Sequence, residues 1–163
     1  MKRIRLANNK GYALVDDKDH KRLSKFCWYL SDKGYAVRGI HVYLGFKKYK
    51  SKKIRMHNEI MGAPSGGMIW DHHDNNPLNN QRNNLRLATR KNNQANQKKQ
   101  RRKTSSKYKG VCWDKSRKLW MSHLKKDGKR IFSKRFKTEK EAAVAYNNAA
   151  KKHFGDFARL NRL

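Results

Sequence analysis

Asp71 and His72 stand side by side where a short apolar run, Met68-Ile69-Trp70, gives way to polar chain. Asp74 follows, then an asparagine-dense stretch, Asn75-Asn76-Pro77-Leu78-Asn79-Asn80. Carboxylate and amide oxygens are what a hard divalent cation binds while keeping several of its waters. Such a cation polarises a phosphate and stabilises a departing 3′ oxygen. A neutral imidazole beside it can take the proton of an attacking water, because its unperturbed pKa lies near ~6.5. The pair therefore has the parts for metal-assisted phosphodiester cleavage. Alone it is weak evidence, since a surface or core role accounts for an Asp-His dipeptide equally well.

The elements that must position this pair are short. Met68–Trp70 reads as a strand, the asparagine stretch as a loop, Leu85-Arg86-Leu87-Ala88-Thr89 as a second strand of period two, and Arg90–Gln97 as a helix. Upstream, residues 1–57 alternate β-type runs (YALV, WYL, GYAVRGI, HVYLGF, KIRMH) with turn signals at Gly34, Gly39 and Gly45. Asp19–Leu30 has the spacing of a short helix, with Leu23, Phe26, Cys27 and Leu30 on one face. Residues 58–67 read as a second short helix running into a Gly-Ala-Pro-Ser-Gly-Gly turn.

The chain carries 42 Lys and Arg against 12 Asp and Glu over 163 residues, a net charge of +30. A compact body so charged repels itself and calls for a polyanion, of which nucleic acid is the best fit. The charge is not a tail: residues 1–98 hold 21 basic and 7 acidic side chains, and residues 99–163 hold 21 and 5. Only 36% of residues are apolar, against about 45–50% in an average globular chain. Small sheets, each covered by one helix, suit that composition better than one large core. No apolar run approaches the ~18 residues of a membrane span, and the first residues lack the apolar centre of a secretory signal. Two cysteines, Cys27 and Cys112, suffice neither for a disulfide framework nor for a four-thiolate zinc site, so a reducing intracellular compartment is expected.

Composition shifts at Gln97–Lys107, QKKQRRKTSSK, which has no apolar residue and reads as a basic linker or an arm on phosphates. Beyond it, Tyr108–Trp113, Leu119–Lys125 and Arg130–Phe136 read as three strands, the last two joined by the hairpin signal Asp127-Gly128. Alternation sets Trp120, Ser122 and Leu124 against Met121, His123 and Lys125, and Ile131 and Ser133 against Arg130, Phe132 and Lys134. Thr138 with Glu141 spells a capping box. Ala142, Ala145, Tyr146, Ala149 and His153 then follow at helical spacing up to Gly155.

The string RMHNEIMGAPSGGMIWDHHDNNPLNNQRNNLRLATRKNNQANQ resembles the HNH homing endonucleases of phage and bacterial mobile introns. YALVDDKDHKRLSKFCWYL and GYAVR resemble their leader region. The resemblance implies His72 as general base, Asp71 and Asn93 as ligands of one Mg²⁺ (or Mn²⁺), and Asn84 as the central residue whose amide ties the loop and orients the base. His57 matches a recurrent family position of structural character. Asn75 replaces the usual glycine, and asparagine tolerates φ > 0 better than most residues. His73 is expected to point away from the site.

Residues 106–161 resemble an AP2-type DNA-binding domain in the runs YKGVCW, KLWMSHL, GKRIFSKRF, TEKEAAVAYNNAAKKHFG and FARLN. The resemblance implies a sheet laid in the major groove, with Lys109, Cys112, Lys125, Arg130 and Phe132 at groove-facing positions. Trp113 and Trp120 are expected in the core.

The expected architecture is α+β. A ββα-metal core at 56–98 follows leader strands at 1–55, a basic linker spans 99–106, and a three-stranded antiparallel sheet with one packed helix fills 107–163. The expected activity is that of a site-specific DNA endonuclease or nickase on double-stranded DNA, monomeric, intracellular in a host cell and phage- or mobile-element-encoded. The alternative is a non-catalytic transcription regulator using the same C-terminal reader.

Overall fold

Ile4, Ala13 and Val15 face inward at alternate positions of two short strands, and around them the N-terminal core forms. The computed structural model describes residues 1–43, 45–46, 49–99 and 104–163. It divides the chain into two compact units, Met1–Thr89 and Arg90–Leu163. The basic stretch expected to separate the modules has its centre, 100–103, outside the described residues.

In the first unit β1 (Lys2–Arg5) pairs antiparallel with β2 (Tyr12–Val15), and α1 (Asp17–Leu23) follows. A second sheet, in the order β3-β4-β5, is made of Tyr29–Leu30, Ala36–Tyr43 and Tyr49–Arg55. Then come α2 (Met56–Met61) and the antiparallel pair β6 (Ile69–His72) and β7 (Leu85–Ala88). Leu23, Trp28, Met56, Ile60 and Leu85 join β1 and β2 in one core, so the leader and the Asp-His strands share a hydrophobic support.

The first helix is shorter than its apolar spacing predicts. It ends at Leu23, whose freed carbonyl accepts the buried Trp28 indole N–H at 2.8 Å, so that a helix-end acceptor and the indole satisfy each other. Trp28, not Cys27, takes the core position, and Cys27 is exposed. The second helix starts at Met56, two residues before the expected 58.

In the second unit α3 (Arg90–Asn96) precedes a three-stranded antiparallel sheet in the order β10-β9-β8. Its strands are Val111–Asp114, Leu119–Lys126 and Lys129–Phe136 for β8, β9 and β10. The β9–β10 turn has φ of 51° at Asp127 and 77° at Gly128, the two positive values a tight two-residue hairpin needs. The helix α4 (Glu139–Phe154) covers one face through Ala142, Ala143, Tyr146, Ala149 and Ala150. Both halves of the Thr138–Glu141 capping box are made, each at 3.2 Å. Close approach explains Gly110: a Cβ there would lie 2.2 Å from the Tyr146 ring. Among the described residues no helix is long and apolar enough to cross a membrane.

Candidate active site

Register decides what surrounds Asp71. In the β6–β7 ladder Asp71 lies opposite Arg86, and His72 opposite Leu85. Arg86 Nε donates to Asp71 Oδ2 at 3.0 Å, and Nη2 lies 2.9 Å from the same oxygen. The carboxylate is only 5% exposed, so its charge is held by an arginine set across the strand. Among the described residues no three His, Cys, Asp or Glu side chains converge into a metal cage. Asp71 and, in the loop that follows, Asp74 carry carboxylate oxygens, donors of the hard kind that a cation such as Mg²⁺ accepts.

The His72 ring is buried and faces two other rings. His57, from α2, lies 5.2 Å away edge-on, and Tyr35, just before β4, lies 5.9 Å away. Tyr35 also meets His57 at 5.5 Å. Burial pushes His72 below the ordinary imidazole value, against the opposing pull of Asn80, Asp74 and Asp71. Burial, then the His72 and Arg55 charges, lower His57 to about 3. Both rings are accordingly neutral at pH 7.

Asn80 fixes the tautomer of His72. Its Nδ2 donates to the Leu78 carbonyl at 3.2 Å, which turns Oδ1 toward His72 Nε2 at 3.3 Å. An amide oxygen only accepts, so Nε2 carries the hydrogen and the lone pair sits on Nδ1. Asn80 is 1% exposed. Its signal was present in the Pro77-Leu78-Asn79-Asn80 run, but spacing alone did not separate it from the other asparagines.

Asn84 ties the loop. Its Oδ1 accepts the Asp74 N–H at 3.1 Å, while Nδ2 donates to Asp74 Oδ1 at 3.0 Å and to the Asn79 carbonyl at 2.8 Å. Burial alone would raise Asp74, but hydrogen bonds from Asn79, the Asn76 backbone and Asn84 hold it below the usual carboxylate value. Asn75 takes φ of 60°, so the turn closes without glycine. His73 is exposed.

The leader grips the same loop. Leu14 N–H donates to the Leu78 carbonyl and its own carbonyl accepts the Asn80 N–H, both at 2.8 Å. Asp16 Oδ2 accepts the Arg82 N–H at 2.9 Å. The Arg82 guanidinium reaches Asp19 Oδ2 at 2.8 Å and Oδ1 at 3.0 Å. Asp19 is nearly buried, and the Arg82 hydrogen bond leads in holding its carboxyl below the usual value. The acidic run in the leader, which carried no assigned role, thus positions the segment between the two strands.

Asp71, His72 and Asn84 all lie in the first unit; Asn93 lies on α3, in the second. In the second unit Cys112, Lys125 and Arg130 share the sheet face turned away from α4, with Met121, His123, Ser133 and Arg135. Lys125 and Arg130 are direct cross-strand partners. Phe132 departs from the expected set: the register shifts between Arg130 and Phe132, which places Phe132 opposite Leu124 and against the Leu124–Tyr146 core. Lys109 departs as well. Its ammonium donates to the carbonyls of Ala95 and Gln97, each at 2.7 Å, at the end of α3. Trp120 packs on the core, and Trp113, 37% exposed, meets it at 5.1 Å.

A family model for HNH endonucleases matches residues 61–95, which take in β6, the asparagine loop, β7 and most of α3. The chain is 34% identical over 168 positions to an uncharacterized HNH endonuclease of Acanthamoeba polyphaga mimivirus, covering 97% of this chain and 79% of that protein. It is 35% identical over 120 positions to protein 3.8 of Escherichia phage T7, covering 70% of this chain and 98% of that protein. No solved structure matches it.

Proposed function

This chain belongs to the HNH endonuclease family, and we propose that it is a site-specific DNA endonuclease or nickase of the homing type, acting as a monomer on double-stranded DNA. The observation that carries the chemistry is His72: neutral, walled by Tyr35 and His57, and locked by Asn80 in the Nε2–H form. His72 Nδ1 takes the proton of the attacking water. Asp71, steadied by Arg86, and Asn93, which the family pattern assigns, would hold one Mg²⁺ or Mn²⁺. When bound, that cation supplies the positive charge that stabilises the departing oxygen. Asn84 keeps the loop closed so that His72 and Asp71 stay at one strand end.

The second module is proposed as the reader, an AP2-type domain whose sheet enters the major groove. Lys125 opposite Arg130 supports this, because like charges directly across a strand pair are destabilising until an anion offsets them. With Cys112 they form the reduced contact set, Lys109 and Phe132 being engaged elsewhere. The test is conversion of supercoiled plasmid to nicked circle in Mg²⁺. Wild-type protein should nick and stop in EDTA, and His72→Ala should not nick. Full activity in EDTA refutes the metal mechanism.

A further inference from the structure

The second unit holds a cleft lined by none of the open-sheet-face residues named above. It is about 390 Å³, and its lining includes Lys98, Lys99, Lys107, Lys109, Arg159 and Arg162. Among the described residues no carboxylate lines it; Glu139, which accepts the Lys107 backbone N–H at 3.2 Å, is not among the lining residues. Small-molecule pockets are mostly apolar with a few polar anchors, whereas six of the nine described residues lining this cleft are lysine or arginine.

The wall is built. Asn161 Oδ1 accepts the Lys109 N–H at 2.7 Å and Nδ2 donates to the Lys109 carbonyl at 3.1 Å. Asn147, on α4, holds the Asn161 backbone at both ends: its Oδ1 accepts the N–H at 2.7 Å and its Nδ2 donates to the carbonyl at 3.0 Å. The segment carrying Arg159 and Arg162 is thereby fastened to the helix. Lys99 and Lys109 spend their ammonium groups on main-chain carbonyls, Lys99 on Ser106 and Tyr108, and so are held in place in the wall. Burial, and then the Arg159 charge, lower Lys109 to about 8, as expected for a buried ammonium with a like charge nearby.

We propose that this cleft is a second nucleic-acid contact, gripping the phosphate backbone of the DNA substrate through Lys98, Lys107, Arg159 and Arg162. It rests on the nuclease reading above and adds a sequence-independent hold distinct from the open sheet face. Phosphodiesters need point charges and N–H donors without sequence information, which these side chains supply.

The test uses the full chain and a non-specific 30-base-pair duplex over a range of salt concentrations. Each neutralised phosphate contributes a log–log salt slope of about −0.9. Arg159→Gln/Arg162→Gln should flatten the slope by about 1.8 on that basis and weaken all duplex sequences alike. Arg162→Gln alone, at an exposed position, should flatten it by about 0.9 and guards against misfolding of the double variant. Lys140→Gln/Lys152→Gln, exposed on α4, removes the same charge elsewhere and should change the slope less. An unchanged slope in the cleft variants, or an equal change in the α4 variant, overturns the proposal. A wild-type chain that binds no duplex overturns the nuclease reading and this contact together.

Discussion

Arg86 stands directly across the β6–β7 ladder from Asp71, and both its Nε and Nη2 reach the same carboxylate oxygen, at 3.0 and 2.9 Å. The pair is formed inside one two-stranded sheet, so the position of the acid is set by register and not by a flexible loop. Removing one member of a buried pair leaves the other charge uncompensated, typically at a cost of about 3–5 kcal/mol.

Arg86→Ala should therefore lower unfolding free energy by an amount near the low end of that ~3–5 kcal/mol range, since Arg86 itself keeps 19% exposure. Asp71→Asn/Arg86→Met, which removes both charges, should recover much of the loss while cleavage stays absent. Urea unfolding read beside plasmid nicking separates the two effects. Recovery of nicking in the double variant would remove Asp71 from the chemistry.

His72→Ala should lower the cleavage rate by about 10²–10⁴ with DNA affinity nearly unchanged. Asn80→Asp should leave a carboxylate facing Nε2–H, which favours the imidazolium and raises the His72 pKa. The base is then protonated up to a higher pH. The acid limb of the pH–rate profile should move upward, with nicking lost at pH 6 and largely kept at pH 8.5.

Acid should weaken the first unit through His57. Its folded value is about 3, whereas the unfolded chain titrates near 6.5. Between those values the unfolded state binds the extra proton, so this contribution is complete above about pH 6.5 and is lost as pH falls toward about 3. His72 shifts in the same direction. Each proton gives a slope approaching ~1.4 kcal/mol per pH unit. His57→Phe should flatten the stability profile between pH 4 and 6, as measured by denaturant midpoints; an unaltered slope would remove His57 as its source.

Phe132→Ala should behave as a core deletion, near the low end of about 3–5 kcal/mol because the ring is only partly buried. Arg130→Ala should leave stability nearly unchanged and alter DNA binding. If Arg130 reads a guanine edge, discrimination at one base pair falls by about 1–3 kcal/mol. Thermal melts with binding to a randomised duplex pool would distinguish these outcomes.

Much of the local structure was legible because it depends on neighbours in the chain. The Asp127-Gly128 turn, the Thr138–Glu141 cap, the alternation through Trp120–Lys125 and the strand–loop–strand–helix order around Asp71 all follow from residues a few positions apart. The charge of +30 pointed to a polyanion before any fold was considered. What only the tertiary structure decided depends on long-range register and packing. A bulge at Ile131 turned Phe132 into the core against simple alternation, and Trp28 displaced Cys27 from its expected face. Lys109 closed onto the end of α3, which groups with the second unit although the composition break lies further along. The meeting of Tyr35, His57, His72 and Asn80 required α2, the β3–β4 turn and the asparagine loop to converge, as did the grip of Asp16 and Asp19 on Arg82. No short-range pattern specifies such contacts, because burial selects them only once the hydrophobic core has brought distant segments together.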